Sequence, residues 1–207
     1  MTSQKQNSGF TLIELLVVIS IMGLMSTLLV INFNGQRGIR NLKIAQSQLV
    51  TNIRKTQSYV LSARDVAPVN GITAPGKYYL LKFDKNSNQY SIQSVDTAYN
   101  LNSSVETDVL PQGITISNLK YTTAAGVDSF PLSAQAAYAS PYAKLYVYTS
   151  EDTGCVGATT FVTVSQNPGC MLNLTNRQLV ITLQDQNSTA TKTVTIYGIS
   201  GNVEASP

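Results

Sequence analysis

The sequence predicts an α+β protein: a long N-terminal α-helix, membrane-spanning in its first half, packed on a C-terminal antiparallel β-rich head. Three observations predict it. Residues 10–33 form a near-continuous apolar segment with one charge, Glu14. Residues 39–64 return apolar side chains at helical spacing, and from about residue 72 the pattern changes to short runs rich in Val, Ile, Thr and Tyr.

The apolar segment is long enough to matter. At about 1.5 Å rise per residue, a helix over 10–33 reaches roughly 36 Å, enough to cross a bilayer. A single carboxylate near one end of such a helix is costly in hydrocarbon and calls for a partner. Asn34, Gly35, Gln36, Arg37 and Gly38 follow. Glycine weakens a helix by about 1 kcal/mol, so this stretch predicts a kink or a locally melted turn. Beyond it, Ile39, Leu42, Ala45, Leu49, Ile53, Val60 and Ala63 mark one apolar stripe. The other face carries Arg40, Lys43, Gln46, Gln48, Asn52, Lys55 and Gln57, and residues 65–68 end the helix. The stripe predicts that this half of the helix packs on the head.

In the head, runs at 77–84 and 89–95 flank Lys85, Asn86, Ser87 and Asn88, a hairpin signal. Further strands are expected at 113–119, 144–149, 159–164, 178–183 and 191–197, the last two joined by the polar turn 185–190. The small-residue stretch 121–142, with two Pro, reads as a long exposed loop that presents Tyr121, Tyr138 and Tyr142.

Gly9 followed by Phe10, Thr11, Leu12, Ile13, Glu14, Leu15, Leu16, Val17 and Val18 resembles the processing and methylation motif of type IV pilins and type II secretion pseudopilins. The resemblance implies cleavage between Gly9 and Phe10 by a prepilin peptidase, N-methylation of Phe10, and pairing of Glu14 with the terminal amine of a neighbouring subunit. Such a pair relieves two desolvation costs together and works as a register lock, because a helix docked out of place leaves both charges unpaired. The implied organisation is a leader peptide at 1–9, a transmembrane assembly helix at 10–33, its amphipathic continuation at 34–65 and the globular head at 66–207. Within the superfamily, residues 110–116 (LPQGITI) and 195–203 (TIYGISGNV) are similar to strand fragments of GspH/FimT-type minor pseudopilins.

The implied function is that of a structural subunit in a type II secretion or type IV pilus filament. It would be held as a single-pass protein in the bacterial inner membrane, with an extracytoplasmic head. The implied partners are other pilin or pseudopilin subunits, the peptidase and methylase, the inner-membrane assembly platform and membrane lipid. The charges flanking the span argue for the reverse orientation, since Arg37, Arg40 and Lys43 follow it and only Lys5 precedes it. The motif is the more specific signal and sets the expectation.

Composition narrows the chemistry. Charged residues are 12% of the chain, and Ser, Thr, Asn and Gln fill the surface, as in extracytoplasmic β-rich proteins. Removing residues 1–9 takes away Lys5 and leaves 13 basic against 11 acidic side chains, no strong field for nucleic acid. The chain has no His, so it lacks the commonest general base and metal ligand. No catalytic residue, cofactor or metal is expected. A calcium loop beginning at Asp84, Asn86 and Asn88 fails, because Gln89 stands where Gly is needed and Val95 where a bidentate Glu is needed. Cys155 and Cys170 are either a disulfide, closing a loop of about 15 residues for about 3 kcal/mol, or two buried thiols. The alternative function is a pilus-tip adhesin or DNA-uptake module. DNA binding is disfavoured by the tail 201–207, which holds Glu204 and no Lys or Arg.

Overall fold

The protein is seen in a computed structural model that describes residues 11–62, 65–66, 74–96, 101–123, 125–149, 177–198 and 201–206; the side chains of 28–36, 65, 66, 74, 75 and 102–105 lie outside that description. The expected leader, Gly9, Phe10, Cys155, Cys170 and the strand at 159–164 all lie outside the described residues. The chain divides into two compact units, Met1–Arg37 and Gly38–Pro207.

One helix, α1 (Leu12–Leu61), enters both units. Helical structure continues through Asn34–Gly38, so the locally melted turn expected there is not found. Gly38 has a different role. A Cβ on it would collide with Asp185 Oδ2, so its missing side chain lets the helix backbone approach a buried carboxylate. The helix ends at Leu61, a few residues before 65.

The second unit is α+β, with antiparallel sheets. Strands β1 (Asp65–Val66) and β2 (Ala74–Pro75) form a small ribbon. One five-stranded sheet is built from β3 (Tyr78–Asp84), β4 (Gln89–Val95), β5 (Leu101–Val109), β8 (Ser133–Ala139) and β9 (Lys144–Thr149), in the order β5-β4-β3-β8-β9. The other contains β6 (Ile114–Thr122), β7 (Asp128–Ser129), β10 (Gln178–Asp185), β11 (Thr191–Tyr197) and β12 (Val203–Ser206), in the order β12-β11-β10-β6-β7. Both predicted hairpins form, β3 with β4 and β10 with β11. Asn86, at φ 63, turns the first, because Asn tolerates the left-handed region. The two sheets are joined where that turn meets β6: Asn86 N donates to Ile116 O at 2.7 Å and Ile116 N to Ser87 O at 2.8 Å.

The exposed loop expected at 121–142 is overturned. Its start belongs to β6, and residues 133–139 form β8, an inner strand paired on both sides by β3 and β9. Tyr121 and Tyr138 are buried, and of the three tyrosines Tyr142 alone is exposed. Alanine has weak β-propensity, but a strand hydrogen-bonded on both flanks does not depend on it.

Leu42, Ala45, Leu49, Ile53 and Val60 of α1 join one buried cluster with Tyr79, Phe83, Ile92, Ile116, Ile181 and Val194 from both sheets. Ile39, assigned to this stripe from sequence, is 51% exposed, whereas the polar Thr56 and Asn52, not assigned to it, are buried. Asn52, expected on the outer face, is buried and donates to Tyr90 Oη at 2.7 Å and Asp108 Oδ2 at 2.5 Å. Four helix side-chain amides then reach carbonyls of the strands and their turns on either flank. Gln46 donates to Thr193 O and Ser206 O (both 2.8 Å), and Gln57 to Gly201 O (2.6 Å). Asn41 donates to Gln112 O (3.2 Å) and Gln48 to Val109 O (3.1 Å). The helix is therefore held against both sheets, with the polar groups of its flanks satisfied by backbone.

Candidate functional site

The segment that carries the predicted assembly chemistry is the start of α1. Thr11 precedes the first helical residue, and Glu14 stands three positions on. Glu14 N donates to Thr11 Oγ1 at 3.3 Å. In return, Thr11 N and Thr11 Oγ1 donate to Glu14 Oε2 at 3.4 and 3.3 Å. This is a reciprocal capping box: each side chain satisfies an amide that the first helical turn leaves orphaned. The carboxylate also lies where the positive end of the helix dipole favours it. The pattern Thr-x-x-Glu before an apolar run is the sequence signature of such a box.

Behind the cap the helix is apolar on every side. Side chains from Leu12 to Thr27 are all exposed within their unit, including Leu12 at 82%, Ile19 at 58% and Leu24 at 69%. A helix apolar all round is stable when something other than water surrounds it. Its hydroxyls fit such surroundings. Ser20 Oγ donates to Leu16 O (2.8 Å), Ser26 Oγ to Met22 O (2.8 Å) and Thr27 Oγ1 to Gly23 O (2.7 Å), so none depends on solvent. Among the described residues, no helix is long and apolar enough to cross a membrane. The expected span 10–33 extends beyond the described side chains at both ends.

Residues 4–30 match the family model of the prokaryotic N-terminal methylation motif. The N-terminus is therefore type IV pilin-like. The motif implies membrane-anchored, pilin-type processing by a prepilin peptidase and assembly with other pilin subunits. Families with this motif are structural rather than enzymatic. No curated protein and no solved structure matches the chain.

The remaining sequence candidates lie in the head. Asp84, Asn86 and Asn88 sit in the β3–β4 turn, where Ser87 N donates to Asp84 O at 3.3 Å and Lys82 pairs with Asp84 at 3.3 Å. Asp185 accepts from Asn187 N (3.2 Å) and Ser188 Oγ (3.0 Å), so it caps its own turn. Among the described residues there is no group of three His, Cys, Asp or Glu side chains placed to hold a metal ion. In the tail, Tyr197 Oη donates to Glu204 Oε2 at 2.8 Å across β11 and β12, which raises the Tyr197 pKa.

Proposed function

We propose that this protein is a minor pseudopilin or pilin-like subunit, cut between Gly9 and Phe10 and N-methylated on Phe10. It enters a type II secretion or type IV pilus filament through its N-terminal helix. The observation that carries this reading is Glu14, the single charge within a helical segment whose apolar side chains are exposed all round. The motif at residues 4–30 supports the same reading from sequence. Before assembly the apolar helix rests in the inner membrane as a single-pass anchor, with the head on the extracytoplasmic side. During assembly the helices pack on one another, and the Glu14 carboxylate takes the terminal amine of the adjoining subunit as its counter-ion. The capping box prepares this step, since Thr11 holds the carboxylate at the end of the helix next to residue 10. The short matches to GspH/FimT-type proteins favour a minor subunit. Cys155 and Cys170 form a disulfide in the exported head.

The adhesin alternative loses two of the tyrosines on which it drew, since Tyr121 and Tyr138 are buried. Mass spectrometry of the membrane fraction tests the proposal: a chain beginning at methylated Phe10 is expected, and an uncut Met1 terminus overturns it. Glu14→Val is expected to leave membrane insertion intact and to abolish co-purification with sheared filaments. Undiminished incorporation removes Glu14 from the mechanism.

A further inference from the structure

The head contains a cleft of about 1040 Å³, in the size range of sites that hold small ligands. Its walls come from the C-terminal part of α1 (Arg54, Gln57), the turn before β9 (Tyr142, Ala143), the ends of β6 and β10, and the β11–β12 turn (Asn202). Every lining residue lies within the second unit.

The charged groups at its edge are unequally committed. Arg177 is 8% exposed, donates from Nη1 to Val147 O at 3.3 Å and lies over the Tyr121 ring, 5.4 Å from its centroid. Glu204 accepts from Tyr197. Arg54 is exposed and has no carboxylate partner among the described residues. Arg54 thus gives the cleft a cation open to a ligand, in a fork geometry suited to a carboxylate. Opposite chemistry is supplied by Tyr142, 87% exposed. The next residue, Ala143, sits at φ 51, a conformation that costs a non-glycine residue free energy and is retained where the surroundings fix it.

We propose that this cleft binds a carboxylate-bearing sugar, of the uronate or sialate class. The ring of Tyr142 offers a flat apolar face to the C–H face of a pyranose, Arg54 takes the carboxylate, and the hydroxyl and amide side chains that also line the cleft, Thr122, Thr123, Gln178 and Asn202, suit sugar hydroxyls. A nucleic acid strand would ask for a row of cations. Among the described lining residues the cations are Arg54 and the buried Arg177, and of the two Arg54 is exposed. The site goes beyond the assembly reading, and because it lies wholly in the head it stands or falls independently of processing and of Glu14.

The test is isothermal titration of the full chain in detergent micelles with oligogalacturonate and with sialyllactose, using a neutral oligosaccharide and dextran sulfate as controls. Saturable binding is expected for at least one of the acidic sugars. Arg54→Gln and Tyr142→Ala are each expected to weaken it about tenfold. Lys144→Gln removes an exposed charge that does not line the cleft, and is expected to change affinity less than about twofold. Both cleft residues are exposed, so the variants should keep the wild-type circular dichroism melt. The proposal is overturned if neither acidic sugar saturates, if Tyr142→Ala binds as wild type, or if dextran sulfate binds equally and Lys144→Gln loses as much as Arg54→Gln.

Discussion

Asn52→Ala tests how the helix is held on the head. The side chain is 8% exposed, and its Nδ2 donates to Tyr90 Oη and Asp108 Oδ2. Tyr90 is 2% exposed, so losing the donor takes one of its hydroxyl's two side-chain partners, Asn52 and Gln48, a cost of about 1 kcal/mol. The bond to Asp108 is charge-assisted, but Asp108 is half-buried and recovers water, so its loss adds roughly 1.5 kcal/mol. The total is about 2–3 kcal/mol, a large part of a typical folding free energy. In urea unfolding of the full chain in micelles, followed by circular dichroism, the midpoint should fall by about 1 M with unchanged slope. Tyr90→Phe alone should cost about 1 kcal/mol. In the double variant the hydroxyl is no longer there to lose a partner, so the two costs should fall short of their sum by about 1 kcal/mol. Costs that add to within about 0.3 kcal/mol would show that the two groups are energetically independent and would refute the reasoning.

Gly38→Ala gains about 1 kcal/mol of helix propensity, yet it drives a methyl group into the Asp185 carboxylate, which is tethered by two hydrogen bonds. A net loss of about 1–2 kcal/mol is expected in the same unfolding assay, whereas Gly23→Ala, which meets nothing within 4 Å, should not destabilise. Burial pushes the Tyr90 pKa up to about 12 and raises that of Tyr138 as well. Above pH 10 the unfolded chain releases protons that these two residues keep when folded. The stability present in full below about pH 10 should therefore fall as pH rises through 12, by up to about 1.4 kcal/mol per unit for each residue. Tyr90→Phe should flatten that slope, as read by urea midpoints between pH 9 and 12. Thr11→Val removes the capping box and should expose the amides of residues 12–14 to faster hydrogen exchange, by about fivefold for a cap worth about 1 kcal/mol.

Much of this architecture could be read from residue pattern. Runs with alternating or continuous apolar character, such as β3, β4, β9 and β11, appear where the sequence placed them, because their side chains record which face is covered. The strands that escaped lack that record. β5 (LNSSVETDV) is a polar edge strand whose charges discourage further pairing. β8 (SAQAAYA) buries Ala134, Ala136 and Tyr138 between two paired neighbours, but its run of small residues carries no β-branched signal. β12 carries one large apolar residue, Val203, and is fixed through backbone to β11 and Gln46. Asn52 and Gln46 were read as solvated because periodicity assigns faces by hydrophobicity, and both are held by hydrogen bonds that periodicity does not encode. At the candidate site, the lone acid was legible as a charge out of place, and its bonds to Thr11 emerged only with geometry. The cleft joins residues from 54 to 204, a convergence that no local window contains.

The grip of Gln46 on Ser206 spans 160 positions of chain. Closing so distant a contact is among the later events of folding, since its entropic cost is met only after nearer pairings form. A polypeptide that has not yet brought residues 203–206 into place lacks this strap, and its helix sits in an incomplete cradle. Full seating of the helix therefore waits on residues 203–206, so a short strand distant in sequence completes the packing of a segment near residue 46.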